Sequence, residues 1–217
     1  PDAIILPAKR TKKGIHVSDF IERKALTPAG LGGLVFFAYG GILTFIPLYA
    51  KSLGLQAETS LFFVVFALVI ILTRPVIGRL FDEKGPDWTV WPGFLFFAVG
   101  MVIFSQVQSV PGLLIAAAVL GIGFGALSPA FQTLAVKSAA PARAGVATAT
   151  YFWSLDISVG LAAAIMSIVA ANFGYPFMYG VVNTAIVILT AVCYYFWRHH
   201  QGNGTAAHDR QECPARK

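Results

Sequence analysis

The sequence predicts an all-α integral membrane protein with six transmembrane helices and both termini on the same side. Three observations carry this. Hydrophobic residues make up 57% of the 217-residue chain, and 21 glycines raise the apolar share to about two-thirds, against about 45–50% in soluble domains. Charged residues contribute only 12%, about half the usual quarter. Those charges are also crowded at the ends: nine fall within residues 2–24 and six within 198–217, leaving eleven for the 173 residues between. So few charges could not keep so apolar a globule in water, and the composition is equally far from that of a disordered chain.

Between the charge clusters lie six runs of the length that crosses a hydrocarbon core as helix, about 20 residues. They cover 29–50, 60–77, 90–107, 111–134, 145–171 and 177–197. Barrel strands would be about ten residues long with strict alternation, whereas these runs are longer and apolar on every face. Lys and Arg give the orientation. One side collects Lys9, Arg10, Lys12, Lys13, Arg23, Lys24, Arg79, Lys84, Lys137, Arg143, Arg198, Arg210, Arg216 and Lys217, fourteen of the sixteen basic residues. The other side holds Lys51, and Arg74 lies inside a run. Basic loops stay cytoplasmic, so both termini are expected there, in a multi-pass plasma-membrane protein. Residues 1–27 then form a basic cytoplasmic segment, 28–198 the six-helix unit and 199–217 a polar cytoplasmic tail. Trp88, Trp91 and Trp197 stand where interface aromatics are expected.

Several function classes drop out. The basic run at 9–13 reads as a positive-inside flank, so no nucleic-acid partner is expected. Cys193 lies in the last run and Cys213 in the tail, which leaves no disulfide framework. Asn203-Gly-Thr205 fits a glycosylation sequon, but on the cytoplasmic side it is a chance match. All four histidines lie outside the runs and Asp156 is the one aspartate inside them, so neither a Ser–His nor a paired-aspartate protease can be assembled there. Ligands for a metal do not cluster and no phosphate-binding P-loop occurs. Neither an enzyme nor a cofactor is expected.

Within the runs, the first and fourth share a spacing: Gly41 precedes Pro47 by six residues, and Gly123 precedes Pro129 by six. These helices cross in opposite directions, so two inverted three-helix repeats would produce the match. Gly- and Pro-interrupted helices at corresponding places of such repeats point to a transporter's binding region, with Pro bending the helix and freeing a carbonyl. Gly and Pro are also common in membrane helices generally, which leaves chance as the alternative.

The stretch between the second and third runs reads Gly78-Arg79-Leu80-Phe81-Asp82-Glu83-Lys84-Gly85. It resembles the G-x-L-x-D-x-x-G motif of the major facilitator superfamily, which in each half of those transporters lies between that half's second and third helices. Pro86 and Asp87 stand where the family has a further basic residue. In the fifth run, Arg143-x-Gly145-x-Ala147-x-x-Thr150 followed by Asp156-x-x-x-Gly160 resembles the eleventh helix of the drug- and metabolite-exporting branch. The resemblance implies a twelve-helix transporter of two halves, of which this chain is the second, missing its N-terminal six-helix half. Pro1 in place of an initiator Met fits that expectation. It further implies that Gly78, Arg79, Asp82, Lys84 and Gly85 form a cytoplasmic gating motif that latches the two halves in the outward-open state. Physically, Asp82 is expected in a surface turn near a helix N-terminus, where a carboxylate is favoured by about 0.3–1 kcal/mol; a merely solvated turn is the alternative.

Asp156 is the most informative single residue. It falls near the middle of the fifth run, where an aspartate costs about 2.5–3.5 kcal/mol to insert and faces a cavity or a partner. It is the candidate for proton coupling, with an anchoring bond to Gln132 or to the other half as the alternative. Arg74 is expected to snorkel. Tyr39, Thr44, Gln132 and Trp153 are cavity candidates, with Phe36, Phe37, Tyr151 and Phe152 as possible apolar wall. The lipid bilayer, a small-molecule substrate and protons are the expected partners. Few amides and hydroxyls are available for a sugar, so proton-coupled efflux of amphiphilic or drug-like molecules leads. A sugar or metabolite carrier of the same fold, and a freestanding six-helix protein that dimerises or serves as a scaffold, are the alternatives.

Overall fold

The computed structural model describes residues 21–211, with side chains from Ile21 to His200. The basic run at 9–13 and the tail positions Cys213, Arg216 and Lys217 lie outside them. Six long helices, each apolar and long enough to cross a membrane, make up the described chain, which among the described residues contains no strand. They are α1 (Leu26–Ser52), α2 (Thr59–Lys84), α3 (Asp87–Ser105), α4 (Val110–Lys137), α5 (Ala144–Phe173) and α6. The last is continuous but irregular: Tyr175–Phe177 and Thr184–Gln211 are α-helical and flank a π-helical stretch, Met178–Asn183.

Every expected run is a helix, and most differ at their ends by only a few residues. The large differences are α6, which runs past the expected 197 through the polar tail to Gln211, and α2. The expected span stopped at 77, where charges begin, but the helix continues through the charged motif to Lys84 and is closed by Gly85 at φ +89°. Hydropathy marks where a helix leaves the hydrocarbon. It does not mark where backbone hydrogen bonding ends. The expected surface turn is therefore helix, and Asp82 sits in the last turns of α2. At that end the helix dipole disfavours a carboxylate and favours the cation Lys84, so the expected N-terminal stabilisation of Asp82 is corrected.

Packing follows an exchange symmetry. α1 packs along α5 while α4 packs along α2; α4 also packs along α3 while α1 packs along α6. Mapping α1-α2-α3 onto α4-α5-α6 interchanges these pairs, as two inverted three-helix repeats require. α1 and α4 are the most buried helices, and α2 and α5 the least.

Lipid tails are as apolar as leucine, so close contact between small residues holds membrane helices together more than any hydrophobic drive. Gly123 shows how tight this is. A Cβ there would collide with the backbone nitrogen of Phe97 and lie 2.7 Å from its Cα. α3 and α4 thus approach backbone to backbone. At the corresponding place in α1, a Cβ on Gly41 would stand 3.0 Å from Asn183 Nδ2. Pro47 and Pro129 both lie inside their helices, which run on past them. Aromatic rings fill the middle: Tyr39 stacks on Phe124 at 4.2 Å and on Phe66 at 5.8 Å, and Phe97 packs on the same Phe124.

Replacing Gly123 by Val should destabilise the bundle by about 1–3 kcal/mol, the usual cost of overpacking. Gly30→Ala, at a position with open space around its would-be Cβ, should be nearly silent. Thermal unfolding in mild detergent reads both; equal melting temperatures for the two variants would contradict the close α3–α4 approach.

Candidate functional site

The outer faces of the helices divide into two kinds. On α3 the exposed large side chains are Trp88, Trp91, Leu95, Phe96, Val99 and Val102, and on α6 they run from Phe177 to Phe196; between helix ends neither face carries a charge. α2 and α5 differ. Arg74 is exposed on α2 beside Ile71 and Gly78, and Asp156 is exposed on α5 beside Phe152, Trp153 and Gly160. Spacings of three and four residues put each set on one helix face. Among the described residues Asp156 and Arg74 make no ion pair or hydrogen bond. The expected alternative, a bond from Asp156 to Gln132, is not formed.

Gln132 instead belongs to a cleft between α2 and α4 with a volume of about 340 Å³. Arg74, Gly78 and Asp82 line it from α2, and Pro129, Gln132 and Thr133 from α4. Pro129 has no N–H, so the Gly125 carbonyl four residues back lacks its usual helical donor. The Thr133 hydroxyl donates to the Pro129 carbonyl at 2.8 Å. The cleft therefore joins part of the expected gating motif to one of the expected helix-bending prolines. Arg74, expected to snorkel away, forms part of its wall. Arg79 and Lys84 lie outside it, exposed toward the basic end of α2, and Lys84 stands 5.2 Å from the Trp88 ring.

The four cavity candidates do not share one cavity. Tyr39 is half-buried in the aromatic core. Thr44 is exposed on α1. Gln132 lines the α2–α4 cleft. Trp153, 68% exposed, borders a smaller depression with Leu26, Thr150, Ser154, Ile157 and Ser158. Of the neighbouring aromatics, Tyr151 is buried and donates to the Ser128 carbonyl at 2.9 Å, whereas Phe152 is exposed.

Two polar clusters were not foreseen. Asp87, noted in the sequence only as a departure from the motif, starts α3 and is gripped by α6. Arg198 donates to it through Nε at 3.0 Å and Nη2 at 2.6 Å, and the Tyr194 hydroxyl donates at 2.5 Å. Tyr194 and Arg198 are one helical turn apart, so both reach the same carboxylate. At the start of α1, Glu22 pairs with Arg143 at 2.6 Å, and its backbone N–H donates to Thr150 Oγ1 at 3.0 Å. This fastens the segment before α1 to the start of α5. Deeper in the bundle, Asn183 is fully buried at the end of the π-helical stretch. It donates to the Ala38 carbonyl at 3.3 Å while its Oδ1 has no donor.

Comparison with known proteins agrees with this architecture. The profile of the Major Facilitator Superfamily matches residues 28–213. An uncharacterized MFS-type transporter of Burkholderia mallei (strain SAVP1) is 30% identical over 184 residues, covering 83% of this chain and 45% of that protein. An uncharacterized MFS-type transporter of Burkholderia pseudomallei (strain K96243) matches to the same extent. Multidrug resistance protein MdtG of Escherichia coli O9:H4 (strain HS) is 26% identical over 170 residues, 76% of this chain and 41% of that protein. The chain thus spans less than half the length of these relatives. Six membrane-length helices in two interchangeable sets of three are the architecture on which that family match falls. The chain belongs to the Major Facilitator Superfamily.

The Asp87–Arg198 contact is bidentate but partly exposed, which puts its coupling at about 1 kcal/mol, the top of the range for exposed pairs. A double-mutant cycle of Asp87→Asn and Arg198→Gln, read by thermal unfolding, should return that coupling. A value of zero would contradict the clamp between α3 and α6.

Proposed function

We propose that this chain is one six-helix half of a proton-coupled secondary transporter that exports small amphiphilic or drug-like molecules. One observation carries the proposal: the two least buried helices, α2 and α5, each expose a charged residue within an otherwise apolar span, Arg74 and Asp156. A charge in the middle of a span, as at Asp156, costs about 2.5–3.5 kcal/mol against lipid, and charges inside spans are retained where they meet a partner or water. The faces of α2 and α5 are therefore where a second six-helix unit docks and where the substrate path runs between the units. The α2–α4 cleft, with Gly78 and Asp82 in its wall, lies at the basic end of that boundary. There Gly78, Arg79, Asp82 and Gly85 of the motif latch the two units, while Lys84 reaches over the Trp88 ring of α3.

In this reading the fourteen basic residues on one side keep both termini cytoplasmic in the plasma membrane. Asp156 is the proton carrier in this scheme, the one carboxylate in the middle of an apolar span. Loading and unloading then alternate with substrate passage as the units rock between states. Gly41, Pro47, Gly123 and Pro129 supply the close contact and helix irregularity that such rocking needs. The apolar cargo is supported by the scarcity of amide and hydroxyl groups on the exposed α2 and α5 faces, and by the similarity to a multidrug resistance protein.

Asp156→Asn in the complete transporter should lower efflux driven by a proton gradient at least about tenfold, while substrate counterflow without a gradient persists. Transport assays in reconstituted vesicles measure both. Undiminished proton-driven efflux by the variant would overturn the coupling role.

A further inference from the structure

On the outer side of the bundle, α3 and α6 enclose a trough of about 550 Å³. Its floor is buried or half-buried: Phe94 and Val187 are 4% and 1% exposed, and Ala98 and Ala191 are partly covered. Its rims are Leu95, Ile188, Val192 and Phe196, all among the well-exposed apolar side chains. Its lining is almost wholly apolar. A floor of two alanines between larger rims makes an elongated slot, unlike the convex surface of two helices packed side by side.

At the basic end the trough meets a notch formed by Asp87, Trp88, Trp91 and Pro92, Trp91 being common to both. Lys84 stands over the outer wall of that notch, 5.2 Å from the Trp88 ring. The charge of Asp87 is already met by Arg198 through Nε and Nη2, which leaves Nη1 with donors to spare. His199 packs on Tyr195 at 6.1 Å beside the same rim. A slot for hydrocarbon is thus continuous with a notch where Arg198 grips the Asp87 carboxylate and Lys84 lies over the Trp88 ring.

We propose that this trough and notch are a binding site for one phospholipid: an acyl chain lies along Ala98 and Ala191, and the headgroup phosphate is held by Lys84 and the free donors of Arg198. The complementarity is electrostatic at one end and apolar along the other. The site lies on the face that carries no charge between helix ends, away from the Arg74 and Asp156 faces. With Arg198 already paired to Asp87, the cation left at this end is Lys84; an apolar protein helix in the slot would not answer it, whereas an anionic phospholipid answers both slot and charge. The bound lipid would brace the α3–α6 seam on which the Asp87 clamp also acts.

The test uses the purified protein, stripped in mild detergent and titrated with phosphatidylglycerol or with diacylglycerol, with retained lipid counted by native mass spectrometry. One phospholipid should be retained, Ala98→Trp with Ala191→Trp should reduce its occupancy at least fivefold, and Lys84→Gln should weaken phospholipid about threefold with no effect on diacylglycerol. Equal retention by wild type and the trough-filled variant would overturn the site; a loss for Lys84→Gln that is the same for both lipids would overturn the phosphate contact. Because bulky variants can fail to fold, the wild-type protein is also labelled with a phospholipid bearing a photoreactive acyl chain. Labelling should concentrate on peptides covering 91–98 and 187–196, and even labelling over all exposed helices would overturn the proposal independently.

Discussion

A charge cannot rest against hydrocarbon without an answering partner, and this constraint organises the whole six-helix unit. An unmet charge near the bilayer centre costs about 2.5–3.5 kcal/mol, so Asp156 alone would offset a sizeable share of a typical protein's net stability of about 5–15 kcal/mol, and Arg74, nearer the basic end, would add to it. Their positions are therefore informative about what surrounds the unit. Both lie on the helices that the bundle covers least. The outer faces of α3 and α6, by contrast, are apolar between their ends and need nothing beyond lipid. The molecule thus has a face made for hydrocarbon and a face made for something polar.

Holding those faces in place falls to contacts that do not rely on burying apolar area. Gly123 lets α4 approach the backbone of α3, and Gly41 brings α1 against Asn183. Membrane interhelical hydrogen bonds average about 0.6 kcal/mol, so single bonds such as Tyr179 to the Gly41 carbonyl at 3.2 Å orient more than they stabilise. At the basic end, the Asp87 carboxylate joins α3 to α6, and Glu22 joins the approach to α1 with the start of α5. These two fastenings tie together the helix ends nearest the G-x-L-x-D-x-x-G motif.

Much of this was legible in the chain. The helices announced themselves because uncharged runs of about 20 residues have few other uses, and the depth of Asp156 follows from its place between Gly145 and Ala171. Helix ends were less legible. α2 keeps its backbone hydrogen bonds through Arg79, Asp82 and Glu83, although hydropathy falls away after Ile77. Which face Asp156 occupies could not be read either, because α5 is apolar nearly all round and its periodicity is flat. The Asp87–Arg198 contact joins residues 111 positions apart, and no local pattern announces such a pair. The division of Tyr39, Thr44, Gln132 and Trp153 among different surroundings has the same cause: residue type suggested a cavity, and only tertiary packing decides which surface each reaches.

The central claim is that the α2 and α5 faces are turned toward protein and water while α3 and α6 are turned toward lipid. Spin labels at single cysteines replacing Ile71 on α2, Phe152 on α5, Leu95 on α3 and Ile188 on α6 test it in the membrane-embedded protein, by comparing relaxation with oxygen, which collects in lipid, and with a water-soluble nickel chelate. High oxygen accessibility at 95 and 188 with low oxygen accessibility at 71 and 152 is the predicted result. Equal, high oxygen accessibility at all four positions would contradict it, because the six helices would then stand alone in the bilayer with Arg74 and Asp156 facing the tails.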